Sequence, residues 1–181
     1  MESKSPSTST AEPSNVLMYR LRTGGENGFQ TGLICEKIVR MLGYVNVSMA
    51  MSGVGNGDVI DLPMVDELTL ARVIGWCTQH KDDEPLEEEE LLKTRNKPIS
   101  EWDKNFLGYL SNSDIFALTI GADFLHVPGL LDVCCKTIAG MLKGLSAEAI
   151  RAKFGINDDL TADEKQELQN EHQGLNRIML S

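Results

Sequence analysis

Apolar residues recur at helical spacing through the second half of the chain. The clearest run lies behind Asp66, which can cap a helix whose apolar positions fall at i, i+3, i+4 and i+7: Leu70, Val73, Ile74 and Cys77. Such a stripe is typical of an amphipathic helix that buries one face. The pattern therefore predicts a helix that is capped by Asp66 and ends at the acidic stretch from Asp82 to Glu90.

Two further helices are predicted before Pro128. Ser100 and Asp103 are spaced as a capping pair at the start of the first. In the second, four apolar residues share one face: Ile115, Leu118, Ala122 and Leu125. Pro128 ends this helix, because proline has no amide hydrogen to continue it, and proline suits the first turn of the next helix.

The helix predicted over 129–143 has more apolar residues than one buried face uses: Leu130, Val133, Cys134, Ile138, Met141 and Leu142. Gly144 closes it just past a lysine. Ser146 and Gly155 bound a further short helix, and Thr161 with Glu164 forms the capping box of a last, polar helix.

The short helix behind Ser146 cannot be stable alone. Ordering its residues costs roughly 1 to 2 kcal/mol each in backbone entropy, and its apolar anchors return at most about 1.5 to 3 kcal/mol apiece. These anchors are Ala147, Ile150 and Phe154. Either the C-terminal helices fold back on their own domain, or another chain completes them; periodicity alone favours fold-back, because most amphipathic helices serve their own core.

The first half of the chain mixes strands and helices. A strand is predicted from Val16, followed by a glycine-rich turn and by a helix with Leu33, Ile34, Ile38 and Met41 roughly on one face. A second glycine-rich stretch precedes a short strand at 59–63. Residues 1–15 lack apolar periodicity and are predicted to be a disordered tail, and the acidic stretch 82–98 is predicted to be a solvated loop. The fold class expected is α+β.

Composition and charge narrow the classes of partner. The 181 residues are 41% hydrophobic and 24% charged, which is ordinary for a globular protein, and the net charge of −10 repels phosphate backbones and anionic membranes. No apolar run approaches the roughly 20 residues of a membrane span, and the N-terminus has no apolar segment of a secretory signal. We therefore expect neither nucleic acid nor membrane as a partner, and a cytoplasmic and nuclear location in which the four cysteines stay reduced.

Catalytic and metal-binding chemistry is weakly indicated. Cys77 and His80 have a metal-like spacing, but zinc sites usually show two spaced pairs, and the adjacent Cys134 and Cys135 would point about 100° apart on a helix. His126 could serve a thiol nucleophile only if the fold brought it close. Hydrolase, metalloprotease and phosphate-loop motifs are missing from the sequence. A binding module is favoured over a thiol-dependent or zinc-dependent enzyme.

Three long stretches resemble one known family. These are VIGWCTQHKDD from Val73, GLLDVCCKTIA from Gly129 and IRAKFGINDDLT from Ile150. They resemble, in order and spacing, the Skp adaptor subunit of Skp-cullin-F-box (SCF) ubiquitin ligases, and the resemblance covers about Asp61 to Gln173. It implies a BTB/POZ-type domain over 16–128 and a C-terminal helical region over 129–181 that binds F-box proteins.

The resemblance also implies the function and partners. Skp adaptors bridge a cullin to an F-box substrate receptor, and the cullin brings a RING-box protein and the ubiquitin-charged E2 for ubiquitin-dependent degradation. They have no active site, so neither catalytic residues, nor a metal, nor a cofactor is implied. The F-box contacts that match in type and place are Phe116, Leu131, Cys135, Ile138, Ile150, Phe154 and Ile156.

Two departures from the family pattern indicate a divergent paralogue. At the implied cullin surface the family usually has Asn-Tyr, whereas this chain has Asp123 and Phe124, which removes a hydroxyl and adds a negative charge. After Gln173 the family carries a tryptophan that packs on the F-box, and this chain has Gly174. The alternative function is a BTB-type homo-oligomeric scaffold that has lost cullin binding.

Overall fold

The computed structural model describes residues 17–24, 28–53, 55–83 and 97–179. The predicted tail over 1–15, and most of the acidic stretch 82–98, lie outside the described residues. The chain divides into two compact units, Met1–Ala139 and Gly140–Ser181, which are described separately below. The domain boundary predicted after Pro128 remains a prediction.

The described residues form three strands and eight helices. The strands are β1 (Met18–Thr23), β2 (Ile34–Cys35) and β3 (Val59–Leu62), and the helices are α1 (Glu36–Arg40), α2 (Gly43–Ser52), α3 (Glu67–His80), α4 (Glu101–Gly108), α5 (Asn112–Phe124), α6 (Pro128–Leu142), α7 (Ala147–Phe154) and α8 (Ala162–Met179). The predicted α+β class is thereby confirmed. Within the described ranges, no helix is long and apolar enough to cross a bilayer.

The sheet has the order β2-β1-β3, with β1 antiparallel to β2 and parallel to β3. Side chains of β1 alternate between buried and half-buried, as the two-residue period of a strand requires when one face meets a core. The strands predicted from Val16 and at 59–63 are confirmed. Helix α3 follows β3 after a short connection and packs behind the sheet with the first two helices.

The helix predicted to include Leu33 and Ile34 was wrong at its start. Ile34 pairs with Tyr19 of β1 as part of the two-residue strand β2, and Leu33 is half exposed. The physical reason is that a short apolar run fits a strand and a helix equally well, and the neighbouring strand β1 decides between them. Helix formation begins only at Glu36, whose amide bonds the carbonyl of Leu17, and it is interrupted before Gly43.

The predicted helix starts are confirmed by their caps. The Asp66 carboxylate accepts the amide of Thr69 at 3.0 Å, and the Ser100 hydroxyl accepts the amide of Asp103 at 3.1 Å. Pro128 is the first residue of α6, one position before the predicted start. The capping side chains satisfy amides that the first turn of a helix leaves without partners, which is why such starts are predictable from local sequence.

The core of the first unit joins the sheet to the helices that follow it. Its fully buried large side chains come from every layer: Leu21, Leu42, Leu62, Leu70, Leu107, Ile115, Leu118, Leu125 and Leu130. Helices α3 and α5 approach closely where Gly121 meets Thr69: a Cβ on Gly121 would lie 2.4 Å from Thr69 Cγ2. This close crossing holds α5 against the core and leaves its remaining face outside.

Candidate functional site

Helix α6 is apolar on two faces. Leu130 and Cys134 are fully buried in the core of the first unit. The neighbouring stripe at i, i+4 and i+7 is different: Leu131 is half-buried, Cys135 is exposed and Ile138 is half-buried. The predicted surplus of apolar residues therefore corresponds to a second stripe that the described residues cover only in part.

Phe116 extends the exposed apolar surface on α5. Its relative exposure is 37%, and Ile120, one turn later on the same helix, is 69% exposed. On the other side of α5, Ile115 and Leu118 are buried. The structure thus places four of the predicted F-box contacts on consecutive helices of the first unit, all of them outside the fully buried core.

The second unit has no buried side chain among its described residues. Ile150 and Phe154 of α7 are half-buried, and Ile156, just beyond this helix, is 55% exposed. Leu168 of α8 is 44% exposed as well. The remaining three predicted F-box contacts therefore lie in a helix pair without a dry core of its own in the described residues.

Polar contacts join the loop and the helix ends of the second unit. Asp158, in the loop between its two helices, accepts a bond from Lys165 Nζ at 2.6 Å and lies 3.9 Å from Arg151. The ammonium of Lys165 holds the pKa of the Asp158 carboxyl below its ordinary value. At the start of α8, Thr161 and Glu164 form the predicted capping box, and the amide of Thr161, bonded to Glu164 Oε2, lowers the pKa of that carboxyl.

Ile156 has a defined position in this framework. Gly155 ends α7 in the left-handed conformation with φ of 65°, and the amide of Ile156 then bonds the carbonyl of Arg151 at 2.9 Å. This is the C-terminal arrangement that glycine favours, because glycine adopts positive φ without steric cost. The helix stop predicted at Gly155 is confirmed, and the stop presents the isoleucine to solvent.

The predicted cullin residues lie where the end of α5 meets the start of α2. Asp123 is exposed, and Phe124 is half-buried with its ring 4.7 Å from the ring of Tyr44. The amides of Gly43 and Tyr44 bond the carbonyls of His126 and Leu125, each at 3.2 Å. The C-terminal end of one helix thus supplies acceptors for the first amides of the other, and hydrogen bonds join the two ends at one corner.

The cysteines do not form a reactive or metal-binding group in the described part of the chain. Burial raises the pKa of Cys77 and that of Cys134 to about 12, so both side chains stay protonated thiols. Over the same described residues, no group of three or more His, Cys, Asp or Glu side chains could hold a metal ion. His80 instead contacts Trp76 and Asp83.

His80 belongs to a half-buried polar cluster that the sequence did not reveal. Its ring stacks on Trp76 at 4.1 Å, and its Nδ1 lies 2.6 Å from a carboxylate oxygen of Asp83. The nearly buried Asp103 accepts bonds from Trp76 Nε1 at 2.8 Å and from the Ser100 hydroxyl at 2.7 Å. The only sequence signal was the capping pair at Ser100, because Trp76 and Asp103 are 27 residues apart.

Comparison with known proteins gives a consistent family. Residues 128–174 match the Skp1 family, dimerisation domain. "E3 ubiquitin ligase complex SCF subunit sconC" of Arthroderma otae is 38% identical over 120 residues, which are 65% of this chain and 72% of that protein. The proteins of the same description from Arthroderma benhamiae and Aspergillus terreus are also 38% identical, over 120 and 118 residues, 65% of this chain and 73% of each relative.

This chain belongs to the Skp1 family. The family match covers α6, α7 and most of α8, the helices that carry six of the seven predicted F-box contacts or flank them. The resemblance predicted from the sequence is confirmed. The individual contact residues remain predictions.

Proposed function

We propose that this Skp1-family chain is a non-catalytic adaptor of an SCF-type ubiquitin ligase. In this proposal its N-terminal α+β part is a BTB/POZ-type domain that holds a cullin, and its C-terminal helices hold F-box receptors. The support is family membership together with relatives that are described as SCF subunits. The E2 and the RING-box protein, brought by the cullin, would carry out the transfer of ubiquitin.

The second apolar stripe of α6 carries the proposal. A helix that served only its own core would bury one stripe and show polar residues elsewhere. Here Leu130 and Cys134 already fill the core, and Leu131, Cys135 and Ile138 form an additional apolar row beside them. An amphipathic helix of another protein would bury that row, which is the helix-in-groove mode of recognition.

The second unit supports the same conclusion through energetics. Ordering α7 costs roughly 1 to 2 kcal/mol per residue, and half-buried anchors return only part of the roughly 1.5 to 3 kcal/mol that full burial of each would give. An F-box that covered Ile150, Phe154 and Ile156 would supply the missing burial. Ile150 and Phe154 are half-buried and Ile156 is exposed, so all three leave apolar surface for a receptor to cover.

We place cullin binding at the corner of α5 and α2. The half-buried Phe124–Tyr44 pair offers an apolar contact, and the exposed Asp123 offers a charge beside it. Charge at the rim of an interface chiefly controls the association rate and the choice of partner. The departure from Asn-Tyr to Asp123 and Phe124 therefore favours a narrowed choice of cullin.

F-box binding tests the proposal directly. We expect Ile138→Ala and Phe154→Ala each to weaken the binding of purified F-box domains by about 10-fold or more, the range of buried apolar anchors at interfaces. Met51→Ala is the matched control, because Met51 is an exposed apolar residue, at 83% exposure, on α2, a helix that carries none of the predicted F-box contacts. The measurement is calorimetric titration with a panel of F-box domains, with the melting temperature of each free variant recorded alongside.

Two results would contradict this function. If no F-box domain binds and sedimentation shows a stable dimer, the homo-oligomeric scaffold is the better description. If each variant destabilises the free chain by as much free energy as it removes from F-box binding, the two side chains serve the internal core.

A further inference from the structure

His126 has an unusual backbone conformation. Its φ is 54°, and no other non-glycine residue in the described ranges has a positive φ. This left-handed conformation is costly for a residue with a Cβ, and glycine normally occupies it at helix ends. Strain of this kind persists where the surrounding structure imposes it, and it is concentrated at functional sites.

The strain comes from the way α5 ends. The amide of His126 bonds the carbonyl of Asp123 at 3.0 Å, and the amide of Val127 bonds the carbonyl of Ala122 at 2.8 Å. These two bonds are the Schellman arrangement, in which the residue after the helix cap adopts positive φ. The backbone would make both bonds equally well with glycine at position 126, so the histidine side chain is not needed to end the helix.

Gly43 leaves the space that the imidazole occupies. A Cβ on Gly43 would lie 2.6 Å from His126 Cδ2, closer than non-bonded carbon atoms approach, and 3.0 Å from His126 Cβ, tighter than an ordinary contact. With the ring in this position, only glycine fits at the start of α2. The ring therefore rests on the Gly43 backbone, and His126 as a whole is solvent-exposed.

The ring's position joins it to the proposed cullin surface. Phe124 and Tyr44 contact each other at the same corner, and the Asp123 carbonyl is the acceptor for the His126 amide. The corner thus presents an aromatic pair with a carboxylate and an imidazole next to it in the chain. A complementary partner would place an apolar side chain over the aromatic pair and hydrogen-bonding groups beside it.

We propose that His126 is a specificity-determining contact for the cullin, held in its strained conformation so that its ring stands at this surface. The inference rests on the proposed function, since it deepens the cullin-binding role of the same corner. Its physical signature is a trade of stability for affinity: removing the ring relieves the strain and weakens binding.

The test uses two substitutions in the full chain, titrated with the N-terminal domain of a cullin. His126→Gly removes the ring and relieves the strain. We therefore expect a melting temperature higher by about 2–4 °C and a Kd for the cullin domain at least 5-fold larger. His126→Asn removes the ring but tolerates positive φ, so we expect the same loss of affinity with a smaller thermal shift. The control for added backbone freedom is Lys81→Gly. Lys81 is exposed at the end of α3, about 18 Å along the helix from Thr69, the residue that meets α5. We expect this variant to bind like the wild type.

The possible results distinguish a failure of the His126 role from a failure of the proposed cullin-binding function. If the wild type binds a cullin and both His126 variants bind within twofold of it, His126 is only a structural residue and the inference is wrong. If the wild type binds none of the cullins, the cullin-binding role fails and the inference fails with it. F-box binding measured on the same samples shows whether the adaptor role survives on its other side.

Discussion

At the scale of single residues, Gly121 sets the distance between α3 and α5. Its Cα faces the Thr69 methyl group, and the nearby Arg72–Asp114 ion pair, at 2.9 Å, ties the same two helices together. Thr69 is almost fully buried, so its methyl group cannot move into solvent to relieve a clash. The proposed cullin and F-box residues of α5 depend on this crossing, because it fixes the helix that presents them.

We predict that Gly121→Ala destabilises the protein by about 1–3 kcal/mol, the usual cost of overpacking. Gly75→Ala is the matched control: Gly75 is an exposed helical glycine of α3 beside which an added methyl group would meet open space, and alanine should stabilise by roughly 0.5–1 kcal/mol. Chemical denaturation measures both. Adding Thr69→Ser to Gly121→Ala removes the clashing methyl group and should restore most of the loss; a fully stable Gly121→Ala variant would show that the helices lie further apart.

The pair Asp123 and Phe124 gives a second residue-scale prediction. Asp123→Asn with Phe124→Tyr removes a negative charge from a chain of net charge −10 and adds a hydroxyl at the end of the ring. We expect cullin affinity to rise about 3- to 10-fold, mainly through faster association, in surface plasmon resonance. Asp159→Asn, an equal charge change at an exposed loop position, should leave the affinity unchanged. No response in the double variant would mean that the cullin surface lies elsewhere.

Residue-level prediction from the sequence succeeded where chemistry is local. Capping residues such as Asp66 and Thr161, and the left-handed stop at Gly155, act within one turn of the chain and were found from spacing alone. The contact of His126 with Gly43 and the bond between Trp76 and Asp103 join distant parts of the sequence. No periodicity encodes such contacts, so the strained corner of the candidate site could not be predicted.

At the scale of elements, the helices that begin at a capping side chain were predicted better than the short elements of the first half of the chain. Helices α3, α4, α5 and α7 each have such a cap, whereas β2 has two residues and depends on β1 for its existence. The apolar row on α6 was predicted, since it needs only the period of 3.6 residues. The sequence did not predict which of the two rows is buried in the core, because that depends on how α6 packs against the rest of the first unit.

The helix pair of the second unit should be sensitive to acid. The pKa values of Asp158 and Glu164 are lowered in the folded state, so their contribution to stability is present above their unfolded pKa values, near 4, and is lost as the pH falls through the folded values. We expect amide protection at Ile156 and Glu164 to be constant from pH 7 to about 5 and to fall below about pH 4, while Val73 in α3 stays protected longer. Hydrogen exchange by NMR measures this, with Asp158→Asn as the comparison.

In the Asp158→Asn variant, the side chain at position 158 no longer ionises, so its contact with Lys165 does not depend on pH. Amide protection at Ile156 and Glu164 should therefore be lower than in the wild type at neutral pH and should change less in acid. Equal acid profiles for Asp158→Asn and the wild type would show that the ion pair does not hold the loop.

At the scale of the whole molecule, the two compact units differ in how they are stabilised. The first has a continuous core from β1 to α6, and the described residues of the second make caps and ion pairs but include no buried side chain. Regions with few buried apolar contacts open at low free energy, and a ligand that binds only the ordered form stabilises them by mass action. Receptor binding and ordering of the second unit should therefore be coupled.

We predict that a saturating F-box domain slows hydrogen exchange in Ala147–Phe154 at least 10-fold and changes exchange in Glu67–His80 less than twofold. Mass spectrometry of the full chain, with and without the F-box domain, measures both segments in one experiment. If α7 in the free chain is already as protected as α3, the second unit is folded without a receptor and the coupling is absent.

The two rows of α6 have a genetic consequence. Leu130 and Leu131 are adjacent in the sequence but differ in burial: the first is sealed in the core and the second borders the open row. In the proposed adaptor role, substitutions at Leu130 or Cys134 would lower the amount of folded protein through quality control, and every receptor would lose its adaptor at once. Substitutions at Cys135 or Ile138 would leave normal amounts of folded protein, which in the same proposal would still bind cullins but carry no receptor. We therefore expect such alleles to act dominantly and core alleles to act recessively.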